Sequence, residues 1–362
     1  MSLTLKQLKE QLEYEIKRSS KVFIVGHNSP DFDSIGAAVG INSLVTHYGK
    51  KAFIIIDDDE MQIEPGVKRL LAENSEKFQI IKKQDYLDYA DDKSLVIIVD
   101  VNKPDRISIG DSLDKARSVI VIDHHNEDET SIKTGKKFIS LEVSSASEAV
   151  ARILIAQKVK YSATAANFLL AGINLDTHRF KQNTTSKTHD VAEKLIDRGA
   201  STDYVNSLFL EEFESFCRIN NLIINGTNIK KYSESLAPIQ ISFTLNRSNP
   251  RGIYLKEDFA KAADRMLKFK GIDASFVLGY IDDETVHISA RGGKKVNVGE
   301  IMKAMNGGGN NHSAGARIKT DDITKLEENL MSKISLGISD EEEEEVFKRG
   351  QIVKQYKKRI HK

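Results

Sequence analysis

The sequence predicts an α/β fold: a mostly parallel sheet domain followed by a second, smaller α/β domain. Three observations lead there. Short β-branched runs (Lys21 to Val25, Lys51 to Ile56, Ser94 to Val99, Val119 to Ile122) alternate with segments of helical period through the first two hundred residues, as parallel strands joined by right-handed crossovers do. The run before Asp100 is apolar almost throughout, the signature of a strand buried on both faces. The chain has 362 residues, 40% of them hydrophobic, which is enough for two cores.

Taken in order, Met1 to Ser19 alternates Leu with Lys and Glu at helical spacing, which predicts an amphipathic helix and not a signal peptide. The strand Lys21 to Val25 runs into a loop carrying His27, Asp31 and Asp33, and a helix follows from Ile35. After the strand Lys51 to Ile56 come Asp57, Asp58, Asp59 and Glu60, consecutive carboxylates that repel one another and suit a solvated loop better than a metal site. Phe78 to Ile81 and Phe138 to Val143 read as strands, and Ser144 to Glu148 as an N-cap with an acid in the first helical turn. Helices are expected over Ala149 to Ile155, Thr164 to Ile173 and His189 to Ile196. The domain assignment is 1–210 for the first domain, 211–235 for a connecting segment, 236–336 for the second domain and 337–362 for a charged tail. In the second domain a strand (Ile239 to Leu245), a helix (Phe259 to Leu267), a hairpin turning at Asp282-Asp283 and a helix (Val296 to Met305) precede Gly307-Gly308-Gly309. The tail, acidic then basic, reads as a solvated segment, with an amphipathic, partner-binding helix as the alternative.

Composition narrows the partners. Lys plus Arg and Asp plus Glu both number 53, so no overall basic field attracts long nucleic acid. A single Cys217 excludes a disulfide framework and fits a reducing cytoplasm. No apolar run reaches the roughly 18 residues of a membrane span. A cytoplasmic protein is expected, and a homodimer is compatible with these features.

The strand ends collect His27, Asp31, Asp33, Asp100, Asp123, His124, His125 and Asp176. Each alone has a bland reading: Asp33 as a helix cap, Asp31 as a turn residue, an isolated His as a core or surface group. Together, five acids and three imidazoles at one sheet edge would be costly without a cation. Two divalent metals about 3.5–4 Å apart solve this and make a phosphoryl-transfer site. Mixed imidazole and carboxylate donors suit Mn²⁺ better than a closed structural zinc site. A carboxylate shared by both ions is needed, and Asp100, alone at the end of its strand, is the candidate.

The order His27-x-x-x-Asp31-x-Asp33, Asp100, Asp123-His124-His125 and Asp176-Thr177 resembles the four motifs of the DHH phosphoesterases, a resemblance extending over about residues 20 to 320. It implies two Mn²⁺ per chain, with Mg²⁺ or Co²⁺ as substitutes. His27, Asp31 and Asp100 would hold one ion, and Asp33, Asp100, His124 and Asp176 the other. Asp123 would orient the imidazoles, and His125 would contact the scissile phosphate.

The second domain resembles the DHH-associated substrate domain, which implies that Arg291 and the glycine loop hold the nucleotide. The guanidinium would grip a phosphate, and Gly307, Gly308 and Gly309 would let backbone N–H groups approach it. The sequence departs from the family pattern at one point: Asn310 stands where His is usual, so either His312, two residues later, substitutes in binding the substrate or Asn310 reads the nucleotide by hydrogen bonds alone. The substrate expected is a small nucleotide. Ile63-Glu64-Pro65-Gly66-Val67, Ser144 to Glu148 and Asp176-Thr177-x-x-Phe180 look closest to the catalytic half of membrane-tethered cyclic-di-AMP phosphodiesterases, without their sensory and membrane-spanning parts. That implies hydrolysis of cyclic di-AMP to pApA, with pApA to AMP as a further step. The two-domain length is instead typical of nanoRNases that also dephosphorylate 3′-phosphoadenosine 5′-phosphate. A nucleotide-binding sensor with a vestigial metal site is a third reading.

Overall fold

The structure is a computed structural model, and it describes residues 2–57, 63, 65–232, 239–246, 254–293 and 295–338. Asp58, Asp59, Glu60, Glu64 and the charged tail from Asp340 lie outside the described residues. The chain divides after Leu210 into two compact units.

The first unit opens with α1 (Leu5–Arg18), whose N-cap Thr4 and Gln7 form a reciprocal capping box. Then come β1 (Val22–Val25), α2 (Phe32–His47), β2 (Ala52–Ile55), α3 (Pro65–Ala72), β3 (Ile80–Ile81), α4 (Lys83–Tyr89), β4 (Leu95–Val99), β5 (Ser118–Asp123), β6 (Lys137–Ile139), α5 (Ala146–Ala156), α6 (Ala163–Asp176), α7 (Ser186–Asp197) and α8 (Thr202–Leu208). The strands form one sheet in the order β3-β2-β1-β4-β5-β6, parallel at every pairing. Side chains alternate across it. Val22, Ile24, Leu95, Ile97 and Val99 enter the core beneath α1, α2, α5 and α6, while Phe23, Val25, Val96 and Ile98 enter a second core with Tyr86 of α4. Both faces are covered, which is why these strands read as unbroken apolar runs. The strand order reverses direction between β1 and β4, the topological switch point where open α/β sheets bind ligands at their carboxyl ends.

Two expected strands are shorter than anticipated: the ladders pair only Ile80–Ile81 with β2 and Lys137–Ile139 with β5. A larger difference concerns the described part of the expected connecting segment, which carries regular structure: α9 (Phe213–Gly226) buries Ile219 and Leu222 against α10, and β7 (Thr227–Tyr232) is the edge strand of the second sheet.

The second unit continues with β8 (Ile239–Asn246), α10 (Lys256–Met266), β9 (Ala274–Tyr280), β10 (Thr285–Gly292), α11 (Val298–Lys303), β11 (Gly308–Gly309), β12 (Ser313–Lys319) and α12 (Ile323–Met331). Its sheet runs β11-β12-β10-β9-β8-β7 and is antiparallel except for β8 beside β9. The β9–β10 hairpin turns at Asp282, whose carboxylate accepts the N–H groups of Glu284 and Thr285. Apolar positions of β8, β9 and β10 face α11 and α12, and α9 and α10 cover the opposite side.

The contact of α2 with α6 brings two of the candidate metal-site segments together, and it depends on Gly172. A Cβ there would lie 2.2 Å from Ser147 Oγ and 2.8 Å from Asp33 Oδ1. Gly172→Ala is therefore expected to destabilise the first unit by about 1–3 kcal/mol and to push Asp33 out of place. Urea denaturation and Mn²⁺ titration of the variant measure the two effects, and native values in both would contradict the packing described.

Candidate metal centre

Asp31 is the N-cap of α2. Its Oδ1 accepts the N–H groups of Asp33 and Ser34 at 2.9 and 3.0 Å, which leaves Oδ2 facing His27 Nε2 at 3.4 Å. The capping role that the sequence also allowed for Asp33 thus belongs to Asp31. Asp33 is fully buried and held from a distance in sequence: Ala146 N–H and Ser147 N–H, at the start of α5, donate to its two oxygens at 2.7 and 2.8 Å. A helix N-terminus is a natural seat for a carboxylate. The Ser144 to Glu148 segment is itself pinned, because Glu148 accepts from the N–H and hydroxyl of Ser144 and from Thr188 Oγ1.

Asp100 follows β4 with φ 61°, a left-handed conformation that few residues other than Gly, Asn and Asp adopt. Its N–H donates to the Ile122 carbonyl, and the turn aims the carboxylate between two imidazoles. Oδ2 lies 3.4 Å from His27 Nε2 and Oδ1 lies 3.3 Å from His124 Nε2. Asp176 ends α6, with Oδ2 at 3.1 Å from His124 Nε2, and Asp33 Oδ2 stands 3.7 Å from the same nitrogen. Beyond Asp176 the backbone is strained: His178, Arg179 and Phe180 all have positive φ (48°, 60° and 61°), at a cost of about 1–2 kcal/mol each. Buried Thr177 holds this turn, accepting Phe180 N–H at 2.9 Å while its hydroxyl donates to the Ile173 carbonyl.

The potential ligand atoms fall into compact groups, His27 with Asp31 and Asp100, Asp33 with His124 and Asp176, and Asp100 with Asp123, His124 and His125. Asp123 accepts His124 N–H, His125 N–H and the His125 ring Nδ1–H on a single oxygen, at 2.8, 3.2 and 2.8 Å. His125 itself is more than half exposed, unlike its neighbour.

Asp100 Oδ1 and His124 Nε2 are buried and make no hydrogen bond, the state of donor atoms meant for an ion. The protonation balance agrees. Burial opposes a charge on His27, yet hydrogen bonds to Asp100 and Asp31 push it up to about 11. His124 behaves alike, with burial outweighed by Asp100 and Asp176, and also reaches about 11. Burial, then the Asp100 and Asp176 charges, drive Asp33 well above the usual carboxylate range; burial also raises Asp176. Burial disfavours charge on Asp100 as well, but His124 and His27 hold it below that range. Without cations the cluster gathers protons in their place. The residues fit a pair of hard or borderline divalent ions.

In the second unit, Arg291 on β10 is held by Asp264 of α10, with Nε donating to Oδ1 at 2.7 Å, and its Nη1 reaches the Ala290 carbonyl at 3.1 Å. Gly308 and Gly309 form β11 and are exposed, paired with Gly315 and Ala314. Gly307 N–H donates to the Met302 carbonyl. Gly309 has φ 143°, and a Cβ there would meet Ala314 Cα at 2.4 Å, so the tight β11–β12 pairing requires glycine. Asn310 Oδ1 accepts the N–H groups of His312 and Ser313, so that oxygen builds the turn. His312 is exposed, with Nδ1 beside the Gly292 carbonyl at 3.2 Å.

Residues 21–173 match the DHH family, N-terminal domain, and residues 252–335 match the DHHA1 domain. The chain belongs to the DHH family. It is 31% identical to the cyclic-di-AMP phosphodiesterase PdeA of Listeria monocytogenes and 32% identical to GdpP of Bacillus subtilis, over 90% and 88% of this chain. The DHH chain spans about half the length of those relatives, 49% and 48%. The bifunctional oligoribonuclease and PAP phosphatase NrnA of Mycoplasma pneumoniae is 25% identical, with 89% of this chain and 95% of that one aligned. An exopolyphosphatase-related protein of Bacteroides fragilis has the same fold at 20% identity, with a TM-score of 0.74 over 91% of this chain and 96% of that one. Among the described residues of the DHH chain, no helix is long and apolar enough to cross a membrane.

Sequence reasoning missed the supporting shell. Asn102 and Asp264 lie outside every motif, and with Ala146 and Ser147 they act on residues 21 to 114 positions away in the chain. Only the N-cap pattern at Ser144 to Glu148 offered a signal.

The proton balance has a measurable sign. In the cation-free protein, the raised values of His27 and His124 make the folded state hold more protons than the unfolded chain. Their contribution is complete below the ordinary value of 6.5 and is lost as pH rises through about 11. Raised Asp33 and Asp176 act in the same direction above 3.8. Melting temperature without metal should therefore fall as pH rises from 6.5 towards about 11, the window these histidines span, and the increase produced by Mn²⁺ should grow over that interval. Thermal denaturation with and without Mn²⁺ tests this, and a metal increment independent of pH would contradict it.

Proposed function

We propose that this chain is a metal-dependent phosphoesterase that hydrolyses a small nucleotide, cyclic di-AMP to pApA in the first place and pApA to AMP as a further step. One observation carries the reading. Asp100 gives one oxygen to the His27 side of the cluster and the other to the His124 side, as a carboxylate shared between two ions must. Mn²⁺ is the ion we assign, two per chain: His27, Asp31 and Asp100 would hold one, and Asp33, Asp100, His124 and Asp176 the other. Bound there, the ions would supply an acidified water and offset charge on the phosphate oxygens.

The chain's own groups do the rest. Asp123 fixes the His125 ring through Nδ1, which turns the opposite ring edge towards a substrate phosphate. Its hydrogen bond to Asp123 also raises the His125 pKa, favouring a cationic ring beside phosphate oxygens. Arg291, positioned by Asp264 through Nε, keeps N–H groups for a phosphate. The exposed backbone at Gly308 and Gly309 offers room for close approach of the nucleotide, and His312 borders it.

The similarity to two phosphodiesterases of this class at 31% and 32% identity supports the cyclic dinucleotide. A second reading, oligoribonuclease with 3′-phosphoadenosine 5′-phosphate phosphatase activity, has its own support, because the Mycoplasma pneumoniae NrnA aligns over 95% of its length. A sensor without catalysis is disfavoured by the full set of acids and imidazoles at the cluster.

Product chromatography with Mn²⁺ separates these readings. Purified protein given cyclic di-AMP, pApA and 3′-phosphoadenosine 5′-phosphate in separate reactions should consume the first and accumulate pApA. Fast conversion of pApA with slow cleavage of the cyclic substrate would establish the second reading, and no turnover of any of them the third. Asp100→Asn should lower metal content below two per chain and turnover by at least about a hundredfold, read by elemental analysis and kinetics; normal turnover would refute the shared-ligand role. Arg291→Ala should raise KM about ten- to a hundredfold, and a pure kcat defect would contradict its assignment to binding.

A further inference from the structure

Asn102 stands two residues beyond Asp100, outside all four motifs, and is 2% exposed. Its carboxamide joins the loop after β4 to the loop after β5. Nδ2 donates to Asp123 Oδ2 at 2.6 Å and lies 3.3 Å from the Asn126 carbonyl. Oδ1 accepts the Ser131 hydroxyl at 3.0 Å, and Ser131 Oγ in turn accepts from Lys103 Nζ. The amide can face only one way. The reverse orientation would set its oxygen 2.6 Å from a buried carboxylate oxygen, two acceptors with no hydrogen between them.

This contact has a particular consequence for Asp123. Three donors, all from His124 and His125, crowd Oδ1. Oδ2, in a side chain only 1% exposed, is held by Asn102. A carboxylate turns about a broad torsional minimum, so a hold on one oxygen does not fix its plane. A hold on both does. The same short segment after β4 therefore carries the shared carboxylate, Asp100, and the group that sets the orientation of Asp123. Through it the His125 ring is kept in register with Asp100, 3.7 Å away.

We propose that Asn102 is a positioning residue for His125, acting through the Asp123 carboxylate. This rests on the reading of His125 as the group that meets the substrate phosphate. The competing account is that Asn102 only closes the loop 126–132. That closure has a backbone component, Ile132 N–H to the Asn102 carbonyl at 2.8 Å, which survives replacement of the side chain.

A double-mutant cycle distinguishes the two. Asn102→Leu keeps the shape and removes the donor, and Asn102→Ser, smaller and easier to accommodate, serves if the first variant fails to fold. Each is made alone and with His125→Ala, and assayed with Mn²⁺ on pApA and on bis(4-nitrophenyl) phosphate. The single variant should lose kcat by about ten- to a hundredfold with KM within about twofold. In the His125→Ala background the same substitution should cost less than about twofold, because the group it positions is already gone. Equal losses in both backgrounds, or an unchanged kcat, overturn the proposal.

A second readout does not need turnover. The chain has nine histidines, and the ¹⁵N ring signals of His125, assigned by their loss in His125→Ala, report its tautomer in the Mg²⁺-loaded protein. Recorded at a pH high enough for the ring to be neutral, wild type should show the Nδ1–H form, and Asn102→Leu should shift it towards Nε2–H. An unchanged signal overturns the proposal. If the wild-type protein turns over no phosphoester, the functional reading fails while the ring signals still decide the role of Asn102.

Discussion

Four carboxylates and two imidazoles cannot share one end of a sheet, out of water, unless something positive sits among them. That constraint organises the first unit. Asp33 and Asp100 are buried with hardly any access to solvent, and the charge on each would be expelled from such a position by burial alone. The fold answers locally where it can. The start of α5 gives two amides to Asp33, and α2 begins on the Asp31 carboxylate. What remains unanswered is concentrated on Asp100 Oδ1 and His124 Nε2, between the side chains that a pair of divalent ions would bridge.

The place of the cluster follows from topology. β1 and β4 are neighbours at the point where the strand order reverses, so the loops that leave them part to opposite sides and open a crevice. His27 comes from one loop and Asp100 from the other. β5 adds His124 on the flank, and α6 closes the group from above with Asp176. Because four separate segments each deliver between one and three groups, the rigidity of the site is that of the sheet and of the α2–α6 contact, not of any single loop. The backbone pays for this in left-handed turns after β4 and α6, the kind of local strain that a packed scaffold can sustain.

Much of this was legible in the sequence, for definite reasons. Strands buried on both faces leave uninterrupted apolar runs, so β1, β4 and β5 were visible, as were the acids and imidazoles at their ends. The hairpin around Asp282 declared itself by its turn. Other features lacked a local signal. Phe213–Gly226 and Thr227–Tyr232 fold onto the second unit through contacts with α10 and β8, partners that lie later in the chain. Which of Asp31 and Asp33 caps α2 depends on where α5 begins, more than a hundred residues away. Asn102 and Asp264 are ordinary polar residues until the loops are closed. Asn310 looked like a replacement for a nucleotide-reading His, yet its side-chain oxygen is engaged in forming a turn.

The conformation of Asp100 limits which descendants this sequence can have. With φ at 61°, the position tolerates glycine, asparagine and aspartate far better than any branched or bulky residue. Only aspartate of those three brings a negative charge. A lineage that abandoned the chemistry while keeping the architecture would thus be steered into a very small set of replacements. Asparagine or glycine directly after the fourth strand, in an otherwise intact sheet, is the mark by which such a silent copy could be recognised from its sequence.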